Sequence, residues 1–81
     1  MTNREKLQDL LQDILLLDPS EFRFDLGRDD VETWDSMSVV AIAVGVDETF
    51  GYHMSPEEAI QIAGVADIIE ILEAKGISFA E

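Results

Sequence analysis

The sequence has 81 residues and no cysteine, so it can form one small domain but no disulfide, thiolate metal site or cysteine nucleophile. Its net charge of −13, from 18 acidic and 5 basic residues, opposes binding to nucleic acid and indicates either basic protein surfaces as partners or simply a well-solvated surface that resists aggregation. A single histidine, His53, cannot form an imidazole metal cluster and has no obvious catalytic partner. We therefore expect neither a metal site nor an enzyme, and the lack of a long apolar run predicts a soluble, cytoplasmic protein.

The first predicted helix covers residues 3–16. Thr2 and Glu5 have the spacing of a capping box, and Asp18-Pro19 ends the helix because proline disfavours helical geometry in the residue before it. Five apolar residues recur every three or four positions and predict one buried stripe: Leu7, Leu10, Leu11, Ile14 and Leu15.

A long connection, residues 17–35, follows this helix. We expect its apolar residues to fold it back over the core, namely Phe22, Phe24, Leu26, Val31 and Trp34. Four acidic residues near its end, Asp29, Asp30, Glu32 and Asp35, include the ligand types that calcium prefers. Their spacing matches no EF-hand loop, so solvated acids are the favoured interpretation and no metal is expected.

The second predicted helix covers residues 36–50 and ends at Gly51. Helical spacing places Val39, Ile42, Ala43, Val46 and Phe50 on the core face. A second apolar strip comprises Met37, Val40, Ala41 and Val44. It is either part of a wide core face or a surface kept for a partner, and the small size of the domain favours the partner surface.

Two more helices complete the predicted all-α fold, a four-helix bundle in a single domain over residues 1–81. The segment Ser55-Pro56-Glu57-Glu58 is a strong helix start and opens a short third helix, about residues 56–62, in which Ala59, Ile60 and Ile62 can contact the core. A fourth helix, about residues 65–75, turns Val65, Ile68, Ile69 and Leu72 inward. We expect the tail, residues 77–81, to be frayed.

The candidate functional residues lie at the start of the second predicted helix. Either Asp35 or Ser36 can cap the helix, which is the commonest role of such residues. The order of helices, the long first loop and Asp35-Ser36-Met37 at the start of the second helix together resemble the acyl carrier protein family over nearly the whole chain. The apolar ladder up to Phe50-Gly51 and the segment that begins the third helix belong to the same resemblance.

The resemblance implies that Ser36 carries 4′-phosphopantetheine, which a separate transferase attaches from coenzyme A. The thiol of this arm would hold acyl groups as thioesters for partner enzymes of fatty-acid, lipid or secondary-metabolite synthesis, while Asp35 caps the helix and helps to orient the transferase. Partner enzymes with basic docking surfaces would contact an apolar strip with an acidic rim, comprising Met37, Val40, Val44, Asp47, Glu48, Glu57 and Glu58. No residue is expected to be catalytic, and we expect a monomer.

The same resemblance suggests shelter for an acyl chain beside the second helix. Small residues Ala41, Ala43 and Gly45 could form the opening, although Gly45 could instead be a helix-packing contact. Departures from the housekeeping fatty-acid carriers occur at Trp34, Met37, Ser38 and Ala41, and Trp-Asp-Ser is similar to stand-alone carriers of other pathways. We predict a specialised carrier. The alternatives are an aminoacyl carrier of the D-alanyl type and an unmodified acidic interaction module.

Overall fold

The computed structural model describes residues 2–79 and is all-helical, as the sequence predicts. Four α-helices span Asn3–Leu15 (α1), Ser36–Phe50 (α2), Pro56–Ile60 (α3) and Val65–Ala74 (α4). The loop between α1 and α2 contains one short 3-10 helix, Arg28–Asp30. Within residues 2–79, no helix combines the length and apolar character needed to cross a membrane.

Three helices end earlier than their sequence patterns indicate. In α1, Leu16 adopts a left-handed conformation with φ of 57°, and the N–H groups of Leu16 and Leu17 both bond to the carbonyl of Gln12. In α3, Gln61 and Ile62 form tighter bonds to residues three positions earlier, so the helix stops at Ile60 rather than at residue 62. The fourth helix ends at Ala74, one residue before the expected end.

The predicted leucine stripe of α1 forms the centre of the core. Leu7, Leu11 and Leu15 are fully buried, whereas Leu10 and Ile14 pack at its edge. Buried partners come from every other helix and from Ile62 just after α3: Val39, Ile42, Val46, Ala59, Ile62, Val65, Ile68 and Leu72. Ile60 was expected to touch this core, but it is 62% exposed because its neighbour Ala59 takes the inward position of this five-residue helix.

The loop between α1 and α2 closes over the core, as its apolar residues predict. Phe22, Leu26, Val31 and Trp34 are buried, and Phe24 is half-buried. Two backbone hydrogen bonds fasten the loop to the start of α4: Arg28 N–H donates to Ala63 O at 2.7 Å and Val65 N–H donates to Leu26 O at 3.0 Å. Glycine is required at position 64 because a Cβ there would lie 2.8 Å from Leu26 O.

The expectation of a frayed tail is wrong for residues 77–79. Phe79 is fully buried, and its ring lies 5.8 Å from the ring of Phe50. Arg4 Nε donates a hydrogen bond to Phe79 O at 2.7 Å, and Asn3 donates to Ser78 O at 2.8 Å. The tail is ordered because an aromatic side chain brings enough apolar area to offset the cost of fixing the backbone. The rest of the expected frayed segment, residues 80–81, lies outside the described residues.

Candidate functional site

Asp35 is the residue that caps α2. Its backbone is extended, and its Oδ1 atom accepts hydrogen bonds from the backbone N–H groups of Met37 and Ser38, both at 3.0 Å. These bonds stabilise the carboxylate, and the N–H of Ser38 is the main reason that the pKa of Asp35 lies below its ordinary value. The capping role that sequence alone divides between two residues therefore belongs to Asp35.

Ser36 is the first residue of α2, and its side chain is exposed. The Oγ atom makes no hydrogen bond with any residue in the described part of the chain. The N–H groups and dipole at a helix N-terminus favour an anionic oxygen at such a position. Ser36 thus offers an accessible hydroxyl at a place that tolerates a phosphate.

The two neighbouring hydroxyl groups are used within the protein. Thr33 Oγ1 donates to Leu15 O at 2.6 Å, which ties the end of α1 to the segment before α2. Ser38 Oγ donates to Thr33 O and also lies 3.3 Å from Asp35 Oδ1. Of the three hydroxyls around the Asp-Ser motif, that of Ser36 is the one left for a reaction.

A mainly apolar groove with a cavity volume of about 550 Å³ opens between α2 and α3, and Ser36 lies on its rim. Most of its wall consists of Val39, Val40, Ala43, Val44, Met54 and Ile60. Polar side chains of Asp47, Glu48 and His53 stand together elsewhere on the rim. Eleven helical positions separate Ser36 from Asp47, which corresponds to roughly 16 Å along α2. The groove therefore runs along roughly three turns of α2.

The small residues of α2 have separate roles. Ala43 lines the groove, whereas Ala41 is exposed outside it. Gly45 faces α1, where an added Cβ would lie 2.3 Å from Leu10 Cδ1. Of the two interpretations of Gly45, the helix-packing contact is therefore correct, and Gly45 contributes nothing to the opening.

The second apolar strip of α2 is exposed and does not widen the core. Met37 is 81% exposed, Val40 62% and Val44 53%. Val40 and Val44 also border the groove, so this surface and the groove are continuous. The strip leaves a partner free to contact apolar side chains directly beside Ser36.

The four acids expected at the rim of this surface differ in their surroundings. Asp47, Glu48 and Glu57 are exposed. Glu58 is half-buried: its backbone N–H bonds to Ser55 Oγ at 3.2 Å, and its carboxylate accepts a hydrogen bond from the hydroxyl of Tyr52. That bond raises the pKa of Tyr52 above its ordinary value. Glu58 is thus less available to a partner than the other three acids.

The acidic residues of the first loop do not converge. Asp30 Oδ2 accepts a hydrogen bond from Gly27 N–H at 2.9 Å, and Asp35 is occupied as the cap of α2. Across residues 2–79, no group of three or more histidine or acidic side chains could hold a metal ion.

Two features of the site are not predicted by the sequence analysis. His53 does have a partner, since its Nδ1 lies 3.4 Å from Asp47 Oδ2. Arg28 reaches the site from the first loop: its Nε donates to Trp34 O and its Nη1 to Ile60 O, both at 3.4 Å. One signal in the sequence could have drawn attention to Arg28: no other lysine or arginine lies between it and Lys75, so it is the basic residue nearest in sequence to Ser36.

Comparison with known proteins identifies relatives of nearly equal length. An acyl carrier protein of Solidesulfovibrio magneticus is 32% identical over 75 residues, which are 93% of this chain and 96% of the relative. Acyl carrier proteins of Clostridium acetobutylicum and Coprothermobacter proteolyticus are 29% and 27% identical over 70 residues, covering 86% of this chain and 91% and 85% of theirs. No protein-family model matches the chain.

Proposed function

The chain belongs to the acyl carrier protein family, and from this premise we propose that Ser36 is the residue that carries a 4′-phosphopantetheine arm. Like these relatives, the protein is a carrier and not an enzyme. The observation that carries the proposal is the exposed Ser36 Oγ at the start of α2, free of hydrogen bonds within residues 2–79 while Asp35 does the capping.

The surroundings of Ser36 fit a hydroxyl that is modified rather than one that catalyses. Ser36 Oγ would bond to the phosphorus of coenzyme A that bears pantetheine, the bond from that phosphorus to the 3′,5′-ADP group would break, and a base of the transferase would take the hydroxyl proton. Positioning and charge stabilisation come from the transferase. When bound, the arm supplies a thiol that holds cargo as a thioester.

The groove between α2 and α3 supports acyl cargo. Its wall is mostly apolar, so a hydrocarbon chain attached through Ser36 could leave water by lying against Val40, Ala43 and Val44. An amino acid on the arm would gain little from this wall. Acyl loading is therefore the main proposal and aminoacyl loading of the D-alanyl type the alternative. Incubating the modified protein with acyl and aminoacyl ligases and weighing the products distinguishes the two.

The exposed strip of α2 supports docking to partner enzymes. The transferase, acyl ligases, acyltransferases and synthases would place apolar side chains against Met37, Val40 and Val44, and basic side chains against Asp47 and Glu48. The high negative charge would speed these encounters. The proposal includes a cytoplasmic monomer that meets its enzymes by diffusion.

The surroundings of Ser36 also support a specialised carrier. Trp34 is buried directly before the motif, and Ser38 and Ala41 replace acids that the family resemblance leads one to expect on α2. The docking surface is thus more apolar than that of a housekeeping carrier. Complementation of a strain that lacks its housekeeping carrier is expected to fail, and robust growth would contradict this assignment.

The attachment site is tested by intact-mass measurement. The protein is incubated with coenzyme A and a phosphopantetheinyl transferase of broad specificity. We expect a gain of one phosphopantetheinyl group for the unmodified sequence, the same gain for Ser38→Ala, and none for Ser36→Ala. If the unmodified sequence gains no mass, the protein is an acidic interaction module rather than a carrier. A gain that survives Ser36→Ala would place the arm elsewhere.

A further inference from the structure

Arg28 brings a positive charge to the rim on which Ser36 stands. Its guanidinium group bonds to the carbonyl of Trp34, two residues before Ser36, and to the carbonyl of Ile60, which borders the same groove as Ser36. Consecutive Cα atoms are about 3.8 Å apart, so the Cα atoms of Trp34 and Ser36 are separated by less than about 8 Å. Together with the 3.4 Å hydrogen bond and the extent of the two residues themselves, this places the charge within roughly 16 Å of the Ser36 hydroxyl, about two Debye lengths at physiological salt.

Among the described residues, this guanidinium group has no anionic partner, although acids outnumber bases by 18 to 5 in the sequence. Among residues 2–79, Arg23 pairs with Asp25 and the imidazole of His53 lies beside Asp47, and neither contact involves Arg28. An arginine has five N–H donors, and only two atoms of this one are hydrogen-bonded there, both at the long distance of 3.4 Å. Arg28 keeps donors and charge available for an anion.

The backbone holds Arg28 in this place. Its own N–H donates to Ala63 O at 2.7 Å, and two residues earlier Leu26 O accepts a hydrogen bond from Val65 N–H at 3.0 Å. The side chain is half-buried, which limits how far it can turn away from Trp34 and Ile60. The loop thus holds the backbone of Arg28 in place and leaves its side chain against the carbonyls of Trp34 and Ile60.

We propose that Arg28 binds the phosphodiester group formed when Ser36 is modified. The inference rests on the proposed function, since Ser36 must carry the arm. A phosphodiester next to the carboxylate of Asp35 adds like charge to an acidic protein, and an arginine fork is well suited to bind two phosphate oxygens. Binding there would link the first loop to the start of α2 and hold the base of the arm at the mouth of the groove.

The test is a thermodynamic cycle between the modification and Arg28. Unfolding in urea is measured for the protein without the arm (apo) and with it (holo). Each form is compared in three sequences: the one without substitutions, Arg28→Gln and Arg23→Gln. The last variant is the matched control, because it removes the same charge from the same loop at an exposed position. For each sequence, the ratio of the holo to the apo folding equilibrium constant measures how much the arm stabilises the fold. We expect this ratio to be about two- to fivefold larger for the sequence without substitutions than for Arg28→Gln, a coupling typical of partly exposed charge pairs. The coupling should shrink in high salt, and Arg23→Gln should retain it.

A second measurement reports on the phosphate directly. The ³¹P resonance of the holo protein is expected to shift in Arg28→Gln and, by a smaller amount, in Arg28→Lys, which keeps the charge but loses the fork. It should stay unchanged in Arg23→Gln. If Arg28→Gln fails to fold, Arg28→Lys carries both measurements.

The outcomes separate this inference from the function on which it rests. If no form of the protein gains the arm, the proposed function fails. If the arm attaches but the cycle shows no coupling and the ³¹P resonance is the same in all variants, the carrier function stands and the role of Arg28 is refuted.

Discussion

Asp35 and Ser36 divide two tasks that a single residue at a helix start cannot perform together. The Asp35 carboxylate takes up N–H groups in the first turn of α2, so the hydroxyl of Ser36 is left without a hydrogen bond among residues 2–79. Residue type alone leaves either of the two as the cap, because both aspartate and serine are good caps. The family resemblance implies the division, with Asp35 as the cap and Ser36 as the attachment residue, and the structure shows that Asp35 is the cap.

The cap of Asp35 makes a testable contribution to the pH dependence of stability. The pKa of Asp35 is lower in the folded state than in the unfolded state. Its contribution to the free energy of unfolding is therefore fully present above the pKa of the unfolded state, and it is lost as the pH falls through the pKa of the folded state. We expect Asp35→Ala to melt below the unmodified sequence at about pH 7, with the difference shrinking below about pH 4. Comparing the two proteins at each pH removes the general effect of acidification on this highly charged chain. A difference that is constant down to about pH 2 would contradict this role.

Leu16 and Gly51 occupy the same left-handed position after α1 and α2, with φ of 57° and 74°. Leu16 is 79% exposed, so its replacement loses little packing. We expect Leu16→Gly to stabilise the protein by about 0.5 kcal/mol, the relief of left-handed strain less the entropy of a freer unfolded chain. Gly51→Ala, with open space around it, should destabilise by about 1 kcal/mol for the opposite reason. Urea unfolding measures both, and changes of the same sign would refute the explanation.

At the level of elements, the boundaries of α2 are marked in the sequence by Asp35 and Gly51, whereas the end of α3 is not. The bonds of Gln61 and Ile62 that shorten α3 reflect how the chain must turn to meet the first loop at Gly64. The Arg28–Ile60 contact joins residues 32 positions apart, and no local pattern predicts such a pair. The groove is likewise a product of how α2 and α3 pack. Its apolar residues could be predicted, but not their arrangement around Met54.

The tail after α4 acts as a structural element rather than a frayed end. Phe79 is fully buried against Phe50 and is held by Arg4. We expect Phe79→Ala to cost about 3–5 kcal/mol, because it leaves a cavity in the bundle. Val44→Ala, at a position 53% exposed, is the control and should change stability by less than about 0.5 kcal/mol. A similar small effect for Phe79→Ala would show that the tail contributes little.

For the whole molecule, charge is the dominant feature. A net charge of −13 on a chain of this size repels itself in the folded state, and among the described residues only Arg23 forms an ion pair with an acid, Asp25, when histidine is neutral. We expect the melting temperature to rise on the order of 5 °C between about 10 mM and about 0.5 M sodium chloride at neutral pH. Potassium chloride should act equally, since the effect is screening. A melting temperature independent of salt would contradict this prediction.

The net charge is evident from composition, but composition does not show where the scarce positive charges lie. Arg4 holds the tail, whereas Arg28 bonds to the carbonyls of Trp34 and Ile60, so two of the five bases have separate structural places. These places follow from contacts between residues distant in sequence, such as Arg4 with Phe79. The whole-molecule charge could therefore be predicted, and its local arrangement could not.

The central claim, that Ser36 carries the arm, is tested most directly by locating the modification in the unaltered protein. The transferase-treated protein is cleaved with trypsin, which yields residues 29–75 as one peptide because no lysine or arginine lies between Arg28 and Lys75. Fragmentation of this peptide in a mass spectrometer assigns the added group to one residue. We predict Ser36 in every modified molecule. Assignment to Thr33, Ser38 or Ser55, or the absence of any added group, would contradict the account.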